Sequence, residues 1–190
     1  MKLYKVTGPS GESIHGGSFR WDLPKDGQPG AWTPEAIPSL CNSGYHLTAN
    51  IPAWWRPDCR IWEAEGQGAS REDETKSVHA SARLVREVTD AAELATLRVF
   101  VSGAHEITRG KAILLGNSRA TLYENSRATL YGNSRATLRE NSSAELNGNA
   151  VAVSWQMKPN VKVSDKSVHI ARGDGTKAPK IHVTKKGKSK

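Results

Sequence analysis

His15, Cys41, His46 and Cys59 are the side chains in the first third of the chain that could hold a metal or attack a carbonyl. A zinc site built from two cysteines and two histidines needs ligand pairs that one turn can present together, and neither a C-x-x-C nor an H-x₃₋₅-H spacing occurs here. No metal centre is therefore expected. Cys41 with His46 as its base has the makings of a thiolate nucleophile. A single cysteine among tryptophans is more commonly packed in a core. The chain has no Walker A loop and no Rossmann glycine fingerprint, so ordinary nucleotide binding is not indicated.

A second set of side chains recurs with a fixed period. Cut into eights from Gly116, the chain reads GNSRATLY, ENSRATLY, GNSRATLR, ENSSAELN and GNAVAVSW. The frame extends backwards through TRGKAILL and FVSGAHEI, bringing Ala104 and Ala112 into register with Ala120. Forwards, QMKPNVKV is irregular, and SDKSVHIA restores the pattern with Val168 and Ile170. A helix advancing 100° per residue would drift by roughly 80° per octad and keep no apolar face. A strand alternates, placing Ala120 and Leu122 on one side and Arg119, Thr121 and Tyr123 on the other. The intervening Gly/Glu-Asn-Ser is turn chemistry. Glycine and glutamate alternate at the head of successive octads (Gly116, Glu124, Gly132, Glu140, Gly148), so two octads are expected per coil, or about sixteen residues.

These features predict a parallel β-solenoid of eight-residue repeats over residues 100–171. Identical residues in every octad favour it over an antiparallel meander, because coils superpose whereas hairpin strands reverse. Ala and Leu should fill the interior. Asn117, Asn125, Asn133, Asn141 and Asn149 should stack at the corners. Arg119, Tyr123, Arg127, Tyr131, Arg135 and Arg139 should point outward, with Trp155 at the last clear octad, as candidate partner-binding residues. The outward Ile113 and Leu115 at one end should be covered by the N-terminal domain, and Val151, Val153 and Trp155 at the other need the returning C-terminal segment, a second protomer or another partner.

Residues 1–99 form a different unit, holding five of the six tryptophans between Trp21 and Trp62. A small Trp-rich α+β domain is expected, with strands over Lys2–Thr7, Ser13–Arg20, Gly44–Thr48, Arg60–Glu65 and Val78–Val88 and a charged loop over Ser70–Ser77. A short helix should start after Asp90, where Asp90 and Glu93 have capping-box spacing. Fold class is thus mainly β, with residues 172–190 a basic, disordered tail. The net charge of +8 falls to about +2 without the six lysines of the last fourteen residues, so the basicity belongs to that tail. No apolar run is long enough to cross a membrane. The N-terminus has no secretory h-region, which places the chain in the cytoplasm with free thiols.

The order of motifs HGGSFRW, LCNSGYHLT, IWEAEG and SARLVREV over residues 3–88 resembles a family of uncharacterised bacterial and phage-borne domains. That resemblance implies a setting and no mechanism. The same stretch is more distantly similar to ADP-ribosyltransferase-like folds, through His15 with Gly16, then Gly44, Tyr45 and Thr48, then Glu63 or Glu65. It implies NAD as cofactor, with His15 and backbone holding the nicotinamide riboside. Tyr45 would stack on the ring, and a carboxylate would stabilise the developing oxocarbenium charge.

Three functions follow as expectations. The first is a recognition protein without a cofactor, whose solenoid mediates self-association or binds another protein. The second is an NAD-consuming transferase or glycohydrolase with its site in residues 13–65. The third is nucleic-acid binding through the arginine ladders and the lysine-rich tail.

Overall fold

The computed structural model describes residues 2–14, 18–40, 42–73, 75–155, 160–164, 166–172 and 178–183. The chain separates into two compact units, Met1–Glu93 and Leu94–Lys190. The division falls a few residues before the expected one at residue 100.

The first unit is a four-stranded antiparallel sheet made of β1 (Leu3–Thr7), β2 (Tyr45–Leu47), β3 (Arg60–Glu72) and β4 (Ser77–Glu87), in the order β1-β3-β4-β2. A four-residue helix α1 (Ile51–Trp54) follows β2, with Pro52 in its first turn. The outer strands meet: Tyr4 N–H donates to the Thr48 carbonyl and Thr48 N–H to the Tyr4 carbonyl, both at 2.8 Å. This bridge curls the sheet until its edges join. Gly30, Thr33 and Ala36 donate to the carbonyls of Leu84, Ala82 and Ala80, satisfying the part of the β4 edge that short β2 leaves open. Inside the curl, Trp21, Leu47, Trp62, Ala64, Ala82 and Leu84 are buried together.

Two expectations change here. Ser13–Arg20 forms no strand among its described residues; an isolated bridge from Glu12 to Arg20 stands in its place. The charged loop shrinks to a turn, because β3 runs on to Glu72 and β4 begins at Ser77. Asp73 accounts for that turn by accepting from the Thr75 and Lys76 backbone N–H groups and from the Thr75 hydroxyl. Helix α2 (Ala91–Thr96) begins where expected, with Asp90 Oδ1 accepting the Glu93 N–H at 2.8 Å.

The second unit is a parallel β-solenoid of about four turns, with roughly sixteen residues between stacked strands. Its strands are β5 (Val99–Phe100), β6 (Ala104–Ile107), β7 (Lys111–Leu114), β8 (Arg119–Leu122), β9 (Arg127–Leu130), β10 (Arg135–Leu138), β11 (Ser143–Leu146), β12 (Val151–Ser154), β13 (Asn160–Val163), β14 (Val168–Ala171) and β15 (Lys180–Val183). They alternate between two sheets, one of order β15-β14-β12-β10-β8-β6 and one of order β13-β11-β9-β7-β5. In the middle coils like meets like: Arg119, Ala120, Thr121 and Leu122 lie beside Arg135, Ala136, Thr137 and Leu138. The interior is the expected column of alanines and leucines, from Ala112 and Leu114 to Ala144 and Leu146.

Serine is the third interior residue. Ser118, Ser126, Ser134 and Ser142 are buried, and each hydroxyl donates to the carbonyl three residues before it at 2.6–2.8 Å. This closes the corner and pairs a hydroxyl that would otherwise be buried unsatisfied. The corner asparagines are exposed, and one rung of the expected amide ladder forms, from Asn149 Nδ2 to Asn133 Oδ1 at 3.3 Å. Gly116, Gly132 and Gly148 take positive φ at one corner, and Glu124 and Glu140 do so at the other.

The outer coils slip by one residue. Ala104 pairs with Arg119, so His105 and not Ala104 stands beside Ala120. Val168 pairs with Val151 and His169 with Ala152. Val168 and Ile170 are therefore outward, and His169 is the inward residue. Because strand side chains alternate, one residue lost or gained in a coil exchanges the two faces. The tail is not disordered throughout as expected: β15 returns antiparallel to β14, the returning C-terminal segment that was one of the expected covers for that end.

Candidate functional site

Two surfaces collect chemically useful side chains, one in each unit. In the first unit a cavity of about 690 Å³ opens beside the Tyr4–Thr48 bridge. Its size suits a small organic ligand. Phe19, Trp21 and Tyr45 meet edge to face on its wall, with ring centres 5.3–5.7 Å apart. Lys5 enters from β1. Its position opposite Trp62 puts its side chain on the inner face of the curl. The ammonium donates to the His46 carbonyl at 3.0 Å and sits 5.0 Å from the centre of the Trp21 ring. Lys76, from the turn before β4, stands 5.2 Å over Trp54.

The electrostatics follow from this crowding. Burial, then the nearby Lys76 charge, pulls the Lys5 pKa down to about 8. His46 is also lowered, by burial first and then by Lys76 and Lys5, against a smaller opposing pull from Asp73. Among the described lining residues there is no aspartate or glutamate. The indole Nε1 of buried Trp21 has no hydrogen-bond acceptor among the described residues.

Of the residues expected to form an NAD site, Tyr45 and Thr48 line this cavity. His15 and Cys41 lie outside the described residues. Glu63 and Glu65 are not on the wall. Glu63 lies opposite Tyr4 in the sheet register, and its carboxylate is held by Arg86 at 2.6 Å and Lys2 at 3.3 Å. Glu65 is held by Arg83 at 2.7 Å. No group of metal-ligating side chains is found among the described residues. Cys59 is a free thiol whose pKa burial raises, which disfavours a thiolate.

In the second unit the outward residues sort by sheet. The longer sheet carries Arg119 and Arg135 side by side, and the shorter one carries Lys111 beside Arg127. These cations point away from a shared Ala/Leu interior, so they make two separate pairs on opposite faces. Tyr131 ends a strand of the shorter sheet. Tyr123, Arg139 and Trp155 follow successive strands of the longer one, where Trp155 stacks between Arg139 and Arg172 at 5.2 and 5.1 Å.

Toward β15 the outer face of the longer sheet becomes apolar. Val151 and Val153 are followed by Val168 and Ile170, and then by Val183 and Ile181 in register with them. Ile181 and Val183 are 66% and 55% exposed. Of this patch the sequence placed only Val151 and Val153 outward; Val168 and Ile170 were expected inward, and Ile181 and Val183 sit among the lysines of the tail expected to be disordered. At the other end of the solenoid, outward Ile113 is buried and Leu115 half-buried.

No family model, no curated protein and no solved structure matches the chain. No helix among the described residues is long and apolar enough to cross a membrane.

Proposed function

We propose that the solenoid is a protein-recognition platform and that its contact face is the apolar outer surface formed by β12, β14 and β15. The observation that supports this reading most strongly is the change along one face. Arginine and threonine occupy the outward positions of β8 and β10, and valine and isoleucine occupy the same columns from β12 onward. A solvated strand face has no need of six adjacent β-branched apolar residues, and contiguous patches of this kind mark interaction sites.

The partner proposed is a second copy of the chain. Two such faces can pack as the halves of a β-sandwich about a two-fold axis, each presenting the same valines and isoleucines to the other. Trp155, clasped by its two arginines, would lie at the rim, where an amphipathic ring suits a half-wet position. Six residues make a small patch beside the roughly 20–30 per side of a standard interface, so association in the micromolar range is expected.

Sedimentation velocity of the wild type and of an Ile181→Lys/Val183→Lys variant tests the reading. Both side chains are exposed, so the fold should tolerate lysine there. The wild type is expected to sediment faster as concentration rises, and the variant to remain a slow, concentration-independent species. Identical behaviour of the two would remove the patch from the interface. Nucleic-acid binding through the solenoid would draw on Arg119 and Arg135 of the longer sheet and on Lys111 and Arg127 of the shorter one. An NAD-consuming reaction would need a carboxylate in the first unit's cavity, and Glu63 and Glu65 are engaged elsewhere.

A further inference from the structure

The cavity of the first unit plays no part in that reading, and one of its wall residues is a nucleophile in waiting. Lys5 comes from the inner face of β1 and lines the cavity, where its side chain keeps partial exposure. An ammonium carries three N–H donors, and it is at home in an enclosed site when a carboxylate or several acceptors surround it. Lys5 has one acceptor among the described residues, the His46 carbonyl at 3.0 Å, together with the face of the Trp21 ring at 5.0 Å. None of the ion pairs among the described residues includes it. That setting favours the neutral amine. Burial first, and then the Lys76 charge, brings the Lys5 pKa down to about 8. The other titratable side chains on the described wall are Tyr4, Tyr45, His46 and Lys76. An enclosed lysine that gives up its proton readily is the residue type that condenses with carbonyl compounds.

A second observation is independent of protonation and narrows the class of carbonyl compound. The wall beside the amine is aromatic. The Trp21 ring beneath Lys5 meets Phe19 at 5.5 Å and Tyr45 at 5.7 Å, and Phe19 meets Tyr45 at 5.3 Å. Phe19 is 36% exposed, so part of this aromatic surface is open to a guest. The volume of about 690 Å³ suits a small ring compound. A flat ring joined to the carbonyl carbon would find ring edges and faces to pack against while the carbonyl lay at the amine.

We propose that Lys5 is the nucleophile of a carbonyl-capturing site and condenses with an aromatic aldehyde whose ring packs against Phe19 and Tyr45. The lone pair of the amine nitrogen attacks the carbonyl carbon, forming the C–N bond as the carbonyl π pair moves to oxygen. That oxygen leaves as water with the two N–H protons of the neutral amine, and a C=N bond remains. Nothing is oxidised or reduced, and hydrolysis reverses the step.

Reductive trapping on the full-length protein tests the proposal. Benzaldehyde, or cyclohexanecarboxaldehyde as its non-aromatic counterpart, is added with sodium cyanoborohydride, whose hydride converts the C=N bond into a stable secondary amine. Peptide mass spectrometry then locates the alkylated lysines, with exposed Lys25 and Lys111 as references within the same molecule. At pH 7.5 Lys5 should be alkylated by benzaldehyde at least about tenfold faster than either reference. The ratio should fall as the pH rises toward 10, where ordinary lysine amines also lose their protons. For cyclohexanecarboxaldehyde the ratio should be lower by about threefold or more, and Phe19→Ala, which keeps the amine and removes the exposed ring, should lower the benzaldehyde ratio similarly. If Phe19→Ala does not fold, the two aldehydes on the wild type decide. Labelling of Lys5 no faster than that of Lys25, equal ratios for the two aldehydes, or a folded Phe19→Ala protein with the wild-type ratio would overturn the proposal.

Discussion

His169 Nε2 lies 2.8 Å from the Ser154 hydroxyl, inside the solenoid, in columns that β8 and β10 fill with alanine and leucine. The two substitutions compensate. His169 stands in the alanine column beside Ala152, and Ser154 stands in the leucine column beside Leu138. His169 lies one coil beyond Ser154, so the large ring fills room that serine leaves in the leucine column, and a polar pair replaces an apolar one. His182 of β15 stacks on His169 at 5.4 Å, which ties the returning strand to the same pair.

This pair makes the end of the solenoid sensitive to acid. Burial first, and then His182, lowers the His169 pKa below 6.5. The unfolded chain thus binds the proton more readily, and stability rises with pH through that window and is lost as pH falls below about 6.5. Hydrogen exchange in β14 and β15 should be faster at pH 5 than at pH 7.5, while β8 to β10 change less. The Ser154→Leu/His169→Ala variant, which returns leucine to β12 and alanine to β14, should lose most of that dependence. Ser154→Leu alone should cost about 1–3 kcal/mol through overpacking, as read by the denaturant midpoint.

Lys5 predicts a dependence at the alkaline end. Its pKa is about 8 when folded and 10.5 as the ordinary value. Between those values the unfolded chain holds more protons, so stability should rise from pH 8 toward pH 10 as the crowding with Lys76 and His46 is relieved. Comparing urea midpoints of wild type and Lys5→Met at pH 7.5 and 9.5 isolates the effect, which should be on the order of 1–2 kcal/mol in favour of the wild type on going to the higher pH. A difference between the two proteins that does not change with pH would contradict the assignment.

The corners separate two kinds of residue in the same backbone state. Glu124 has φ of 50°, and Gly132 at the opposite corner has φ of 65°. A side chain with a Cβ is disfavoured there by roughly 1–2 kcal/mol. Glu124→Gly should therefore stabilise the solenoid by about 0.5–1 kcal/mol after the added freedom of the unfolded chain is counted. Gly132→Ala should destabilise it by about 1 kcal/mol. Glu140→Gly should gain less than Glu124→Gly, because the Glu140 carboxylate accepts the Glu124 N–H at 2.6 Å. Thermal unfolding of the three variants gives the ranking.

The central coils were legible in the sequence because Arg119, Ala120, Thr121 and Leu122 recur unchanged one coil later, and only parallel stacking brings such residues together. The outer coils were less so, since a single extra residue between Val151 and Val168 exchanges inside for outside. Ser118 and its equivalents look like turn residues and are core residues as well, a double role that composition cannot express. In the first unit the strands were visible as alternation, but the cavity was not. Lys5 in LYKVT resembles any strand lysine until the Tyr4–Thr48 bridge curls its face inward.

A second copy of the chain is proposed to cover the apolar outer face of β12, β14 and β15. Light scattering across a concentration series, carried to roughly 100 µM where a micromolar interface is filled, tests it most directly. The predicted result is a mass that climbs from near 20.6 kDa toward twice that value. A mass that stays at 20.6 kDa over the whole series would contradict it.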